Sequence, residues 1–130
     1  MPSLSKSLPS TFTIRSRRVV LLDRVAPATV HVSDGKIVNV LAWDEPPAPA
    51  ATVLDVGEHA LLPGLVDTHV HINDPGRADW EGFPTATRAA VAGGITTLVD
   101  MPLNSIPATT SVAGPAAKRA AAHGRIHANV

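Results

Sequence analysis

Cysteine is absent from the 130 residues, which excludes disulfides, thiolate nucleophiles and cysteine-based zinc sites. Any metal site in this chain must therefore use histidine nitrogens and oxygen ligands. Aromatic residues make up only 3% of the chain, so its core is expected to be mainly aliphatic. Basic and acidic side chains number 11 each, and zero net charge gives no indication of a nucleic-acid or membrane partner. No apolar run approaches the roughly 18 to 20 residues that cross a bilayer.

The composition that is present, 45% hydrophobic and 17% charged, is typical of a globular protein. The first 22 residues contain serine and arginine but no acidic residue before Asp23, which is compatible with an organelle transit peptide. A short frayed tail that leads into a first strand explains the same residues more simply, and there is no apolar signal-peptide core. We therefore expect a cytoplasmic protein.

Strand signals dominate the first half of the chain. Residues 1–11 are rich in serine and proline, which predicts a disordered tail. Residues 12–62 carry runs of β-branched residues, and the Asp34-Gly35 dipeptide between two such runs is a strong hairpin signal. A connector at 44–52 is too rich in proline for a helix or a central strand, and one or two short strands follow it. We predict a small β-layer over residues 12–62.

Strands and helices alternate after Pro63-Gly64. The predicted order is a strand at 65–72, a helix at 83–94, a strand at 95–101, a helix at 112–124 and the start of a third strand at 125–130. This alternation is typical of parallel βαβ units. A parallel sheet normally has both faces covered, and this one would keep an open edge. We therefore expect the chain to be a piece of a larger protein, although a genuine three-stranded domain is the alternative.

An acid and two imidazoles occupy one face of the first of these strands. Because side chains alternate between the faces of a strand, Asp67, His69 and His71 point the same way. Residues i and i+2 are about 6.6 Å apart along a strand, and two imidazoles at that spacing can lean together to bind one ion at ~2.0–2.1 Å. Asp67, deeper on the same face, could orient a ligand. The pair also lies at the C-terminal end of its strand, where parallel α/β folds collect their ligands.

Two interpretations of this histidine pair are open. His69 and His71 are either metal ligands on a buried strand or two polar residues on an ordinary surface strand. We expect the strand to be buried, which favours the metal site. Two ligands do not complete a zinc site. The remaining histidines are expected to be surface or packing residues, namely His31, His59, His123 and His127.

The segment LLPGLVDTHVHINDPGRADWEGF, residues 61–83, resembles the first barrel strand of the amidohydrolase superfamily, with its Pro-Gly start and its Asp-x-His-x-His signature. The segments TRAAVAGGITTLVDMPLNS and IPATT, which follow each other over residues 87–110, resemble the cyclic amidohydrolases, a family of allantoinases, dihydroorotases and hydantoinases. Within that family the allantoinases are the most similar. The resemblance covers residues 14–130 and only the beginning of a full family member.

The resemblance implies an α/β fold in which a (β/α)8 (TIM) barrel stands beside a small β-sandwich. Residues 12–62 would be the N-terminal part of the sandwich, and residues 63–130 the first three strands and two helices of a truncated barrel. It also implies two divalent metal ions, usually zinc, bridged by a carboxylated lysine and a hydroxide, with His69 and His71 as ligands. The bridging lysine and the catalytic aspartate are expected beyond Val130, so no catalytic residue is expected in this chain.

The implied reaction is hydrolysis of a cyclic amide, most closely allantoin to allantoate in purine catabolism, by a homo-oligomeric enzyme with a small-molecule ureide substrate. Asn73 stands where dihydroorotase-like sequences carry arginine, and its amide suits a neutral ureide, although it is equally interpretable as a turn residue. Asn104 is placed at the pocket edge by the resemblance, and ordinary loop chemistry is its alternative. A hydantoinase or dihydropyrimidinase and a catalytically inactive remnant are the other hypotheses. The 130-residue chain alone is expected to be inactive.

Overall fold

The computed structural model describes residues 8–45 and 52–130, so parts of the predicted tail and of the proline-rich connector lie outside the described residues. The chain separates into two compact units, Met1–Pro63 and Gly64–Val130. The elements are β1 (Thr11–Val20), β2 (Val25–Ser33), β3 (Lys36–Ala42), β4 (Thr52–Asp55), β5 (Ala60–Leu61), β6 (Leu65–Val70), α1 (Phe83–Ala92), β7 (Ile95–Asp100) and α2 (Gly114–Ala122). No helix of the described residues is long and apolar enough to cross a membrane.

The first unit is built on one five-stranded sheet with the order β3-β2-β1-β4, in which β5 also pairs with β1. The first three strands pair antiparallel, whereas β4 and β5 both run parallel to β1. Ser33 pairs with Lys36 across Asp34 and Gly35, whose φ angles are 49° and 73°. Positive φ at both central residues defines the tight turn that suits the twist of a hairpin. The hairpin predicted from this dipeptide is confirmed.

The second unit begins with a parallel βαβ arrangement. β6 and β7 pair parallel, and α1 connects them. Pro84 lies in the first turn of α1, where its missing N–H costs no helical hydrogen bond. Gly94, just past the helix, adopts a φ of 84° that favours glycine. The apolar side of the unit packs Ile72 and Leu98 against Phe83 and Ala90 of α1, so the predicted aliphatic core is largely confirmed here.

The predicted start of a third strand at 125–130 is reduced to a single parallel bridge. Only Asn129 pairs with β7, as an isolated parallel bridge to Thr97. Two of the residues before it direct their backbone N–H groups to the helices instead of the sheet. Arg125 donates to the carbonyl of Ala122 at 3.0 Å, and His127 donates to Oγ1 of Thr87 at 3.0 Å. These two bonds turn the backbone away from β7 until Asn129, where two hydrogen bonds form the bridge.

The expectation of a buried strand at 65–72 is also wrong in part. β6 ends at Val70, one residue before His71, and Leu65 and Val66 are 57% and 59% exposed. The core cluster of this unit includes Val70 and Ile72, on the side that faces α1. Among the described residues, β7 is the one strand that pairs with β6, so the opposite edge of β6 has no paired strand there.

Candidate metal centre

The carboxyl ends of β6 and β7 meet at one edge of their sheet. The N–H of Met101, the first residue after β7, donates to the carbonyl of Val70, the last residue of β6, at 2.8 Å. Because the two strands are parallel and end level with each other, the loops that follow them start side by side. The first of these loops carries His71 and Asn73, and the second carries Asn104.

The imidazoles of His69 and His71 converge at this edge. Their Nε2 atoms lie 3.2 Å apart, and the ring centroids are 5.1 Å apart with planes tilted by 57°. Two nitrogens at this separation can both lie ~2.0–2.1 Å from a single ion, at an angle close to that between ligands in a tetrahedral site. The two side chains therefore fit a shared metal ion. Both histidines are exposed, so an ion can reach them from solvent.

Asp67 contacts the backbone of the histidine pair. Its Oδ1 accepts the N–H of His69 at 3.0 Å. The carboxylate therefore holds the main chain at the first of the two histidines. That Asp67 orients a metal ligand stays a prediction. The contact observed in the structure is with the backbone of His69.

Asn104 links the two loops through its side-chain amide. Its Nδ2 donates to Oδ1 of Asn73 at 3.1 Å, and its Oδ1 lies 2.9 Å from Nδ1 of His71. An amide oxygen can only accept, so Nδ1 of His71 is the donor in this hydrogen bond. A neutral His71 then keeps its lone pair on Nε2, the atom that faces His69. All three loop side chains singled out from the sequence are therefore brought together.

Asp100 and Lys118 form a buried ion pair behind the histidines, which the sequence did not reveal. Asp100 ends β7, Lys118 lies in α2, and their side chains are 7% and 10% exposed. Oδ1 of Asp100 accepts the N–H of Ile72 at 2.8 Å, and Nζ of Lys118 donates to the carbonyl of Ile72 at 2.9 Å. An acid directly after the apolar run that ends β7 was the available signal for Asp100. Nothing in the alanine-rich α2 distinguishes Lys118 from its exposed neighbour Arg119.

Further contacts hold the loop that follows β6. Asp74, which is buried, pairs with the guanidinium of Arg125 at 2.8 Å. The N–H of Ile106, in the loop after β7, donates to the carbonyl of Pro75 at 2.8 Å. Gly76 packs so closely on Ile106 that an added Cβ would lie 2.6 Å from the Cβ of that residue. The two loops are therefore in direct contact.

Two of the other histidines make hydrogen bonds away from the pair. A ring nitrogen of His59 lies 2.9 Å from the carbonyl of Val56, and the backbone of His127 bonds to α1. In residues 8–45 and 52–130, no group of three or more histidine, cysteine, aspartate or glutamate side chains is placed to hold a metal ion. The pair formed by His69 and His71 is therefore a partial ligand set within the part of the chain that the structure describes.

Comparison with known proteins identifies relatives of this arrangement. An allantoinase from Streptomyces avermitilis is 56% identical over 90% of this chain, and an allantoinase from Arabidopsis thaliana is 48% identical over 92%. These matches cover 26% and 24% of the two relatives, so the chain spans about a quarter of the length of the curated relatives it matches.

Solved structures show the same backbone arrangement. The L-hydantoinase (dihydropyrimidinase) from Arthrobacter aurescens superposes with a TM-score of 0.77 at 31% identity, over 90% of this chain and 26% of that one. The D-hydantoinase (dihydropyrimidinase) from Thermus sp. superposes with a TM-score of 0.70 at 24% identity, with the same coverage of 90% and 26%, which shows likeness of fold alone.

The model of the amidohydrolase family matches residues 60–129, which is more than half of the chain and includes both histidines of the candidate centre. Enzymes of this family use divalent metal ions, in keeping with the convergent imidazoles at the strand ends. The chain belongs to the amidohydrolase family.

Proposed function

We propose that this chain carries part of the metal site of a hydrolase that opens the hydantoin ring of allantoin to give allantoate. The observation that carries the proposal is the 3.2 Å approach of the Nε2 atoms of His69 and His71 at the carboxyl ends of two parallel strands. The 56% identity with the Streptomyces avermitilis allantoinase supports the choice of substrate.

The proposed fold behind this site is the α/β arrangement expected from the sequence. Residues 12–62 would be the N-terminal part of a β-sandwich, and residues 63–130 the start of a (β/α)8 barrel. The parallel pairing of β6 and β7 through α1 supports the barrel, as does the position of the histidines at the C-terminal strand ends. The single sheet of the first unit supports one layer of a sandwich.

The proposed cofactor is a pair of zinc ions, for which His69 and His71 are ligands. Imidazole nitrogens suit zinc, and the chain has no cysteine to compete for it. When bound, the metal supplies a water nucleophile at neutral pH and polarises the amide carbonyl under attack. This chain's own part is to hold the metal through two Nε2 atoms. The Nδ1 hydrogen bond from His71 to Asn104 keeps one of those atoms available.

Asn73 is the proposed substrate contact. Allantoin is neutral and presents carbonyl and N–H groups, which an amide can match in both directions. Oδ1 of Asn73 accepts from Asn104, so its Nδ2 is the group that would donate to a substrate carbonyl. The predicted substrate contact by Asn104 stays a prediction. The two hydrogen bonds of its own amide support a role in holding His71 and Asn73.

A hydantoinase or dihydropyrimidinase is the second candidate. The superposition on the Arthrobacter aurescens L-hydantoinase, with its TM-score of 0.77 and 31% identity, favours it. The two candidates share the metal chemistry and differ in the ring substituent that the pocket accepts. A catalytically inactive remnant would bind metal weakly and hydrolyse neither substrate.

A substrate panel on the full-length protein separates these candidates. The purified protein is stripped with a chelator, reloaded with zinc, and assayed with allantoin and with a 5-substituted hydantoin. We expect ring opening of allantoin that is lost on chelation and restored by zinc. Preference for the substituted hydantoin would favour the second candidate, and no turnover of either compound would favour the remnant.

A homo-oligomeric, cytoplasmic enzyme completes the proposal. Light scattering on the purified protein tests the first part, with a monomer as the contradicting result. One relative, from Aquarana catesbeiana, is named a mitochondrial allantoinase. Cell fractionation against a mitochondrial marker therefore tests the second part, and enrichment with that marker would contradict it.

A further inference from the structure

We propose that Asp100 and Lys118 act together as positioning residues that fix the directions of His71 and Asn73. We call this ion pair the Ile72 clamp, because both of its members hydrogen-bond to the main chain of that residue. The inference rests on the proposed function, since it concerns the metal and substrate contacts assigned there. It adds two residues from β7 and α2 that would contact neither the metal nor the substrate.

The clamp acts where the sheet stops. The hydrogen bond from Met101 to the carbonyl of Val70 is the last one between β6 and the chain that follows β7. Beyond Val70 the chain must continue in a fixed direction, because His71 has to meet His69. Strand pairing does not supply that direction, since β6 has already ended.

The Ile72 clamp fixes the direction of the chain beyond Val70 through two peptide groups. The N–H of Ile72 belongs to the peptide that joins it to His71, and its carbonyl belongs to the peptide that joins it to Asn73. Asp100 accepts from the first at 2.8 Å, and Lys118 donates to the second at 2.9 Å. One ion pair therefore sets the orientation of both peptide planes. The side chain of Ile72 is 1% exposed in the core, which prevents this residue from turning away.

Stability alone does not explain a charged pair at this place. Replacing a buried ion pair with apolar side chains of similar volume is often neutral or stabilising. Apolar side chains, however, cannot hydrogen-bond to the N–H and the carbonyl of Ile72. Without the clamp, the N–H and the carbonyl of Ile72 would form hydrogen bonds with other groups. The segment that carries His71 and Asn73 would then shift.

The test replaces the ion pair by an apolar pair in the full-length protein, Asp100→Leu with Lys118→Met. Zinc affinity is measured by calorimetry, and the visible absorption spectrum of bound Co²⁺ reports the arrangement of the ligands. We expect the variant to fold with a lower melting temperature than the parent, because the N–H and the carbonyl of Ile72 lose their buried partners. We also expect it to bind zinc about 10- to 100-fold more weakly, with an altered Co²⁺ spectrum. The single variant Lys118→Arg keeps the charge and the hydrogen-bond donor. It is expected to retain the zinc affinity and the Co²⁺ spectrum of the parent.

Matched controls make the outcomes decisive. Arg119→Met removes a positive charge from the exposed neighbouring position on α2 and is expected to leave zinc affinity unchanged. Parental zinc affinity and an unaltered spectrum in the apolar pair would overturn the inference. Failure of that variant to fold would also overturn it, because the pair would then be required for the fold itself. If His71→Ala leaves zinc affinity unchanged, the proposed metal site fails. If it weakens binding while the apolar pair does not, only the clamp fails.

Discussion

Nδ1 of His71 lies 2.9 Å from Oδ1 of Asn104, a residue 33 positions later in the chain. The two side chains come from different loops and meet because β6 and β7 are parallel and end together. The hydrogen bond fixes which nitrogen of His71 carries the proton, and it leaves Nε2 directed at His69.

Removing the acceptor of His71 should weaken metal binding. Asn104→Ala leaves Nδ1 without its partner and frees the ring to rotate, so we expect a 10- to 100-fold loss of zinc affinity by calorimetry, the cost typical of such supporting contacts. Asn104→Asp keeps the acceptor for Nδ1 of His71 but loses the donor to Asn73, so it should retain zinc affinity while it breaks the link to the Asn73 loop. If Asn104→Ala instead raised KM for substrate at unchanged zinc affinity, Asn104 would be a substrate contact, as the family resemblance implied.

Removing either imidazole of the pair should weaken zinc binding more than removing the hydrogen bond between His71 and Asn104. His69→Ala and His71→Ala each delete one of the two convergent nitrogens, and we expect zinc affinity to fall by more than about 100-fold. The control is His123→Ala, which changes an exposed histidine just after α2. Equal effects at all three positions would mean that the binding measured is nonspecific.

A side chain at Gly76 should destabilise the contact between the two loops. Gly76→Ala combines a φ of 96° with a Cβ placed 2.6 Å from that of Ile106. We expect a loss of about 3 kcal/mol in the free energy of unfolding, from backbone strain and overpacking together. In Gly94→Ala the φ is 84° but no atom lies within 4 Å, so about 1 kcal/mol is expected. Chemical denaturation measures the loss of unfolding free energy in both variants. Equal losses would show that Ile106 moves aside without destabilising the protein.

The 130-residue chain tested on its own should bind zinc weakly and should not hydrolyse allantoin. Its described residues offer two convergent nitrogens, whereas a catalytic zinc site uses three protein ligands and a water molecule. The assay is allantoate formation in the presence of excess zinc, with the allantoinase from Streptomyces avermitilis as the positive control. Measurable hydrolysis of allantoin by the isolated chain would contradict the conclusion that its ligand set is only partial.

Local signals in the sequence predicted the elements that local chemistry determines. Asp34-Gly35 predicted its hairpin because few residues other than glycine, asparagine and aspartate adopt positive φ readily. Pro84 marked the start of α1 because its missing N–H is tolerated in a first turn. Gly94 marked the end of α1 because glycine adopts positive φ readily. The alternation that placed His69 and His71 on one face requires only that the chain be extended there. Each of these features depends on residues close together in the sequence.

Contacts between distant residues account for what the sequence did not predict. Residues 125–130 look like a strand, but hydrogen bonds from Arg125 and His127 to the helices keep all but Asn129 from pairing. The ion pair of Asp100 with Lys118 joins a strand to a helix, and its partner Ile72 lies 46 residues before the lysine. Lysine in an alanine-rich helix is usually exposed, so only the packing of α2 shows that Lys118 is not.

The close approach of Gly76 to Ile106 has a consequence for engineering substrate selectivity. At Gly76 and Ile106 the loop with Asn73 and the loop with Asn104 leave no room for an added methyl group, and a hydrogen bond joins their two asparagines, so we treat the loops as one module. Grafting the first loop from a relative with a different substrate, while keeping the second, would bring mismatched surfaces together. Selectivity should therefore transfer between relatives only when both loops are exchanged as a unit.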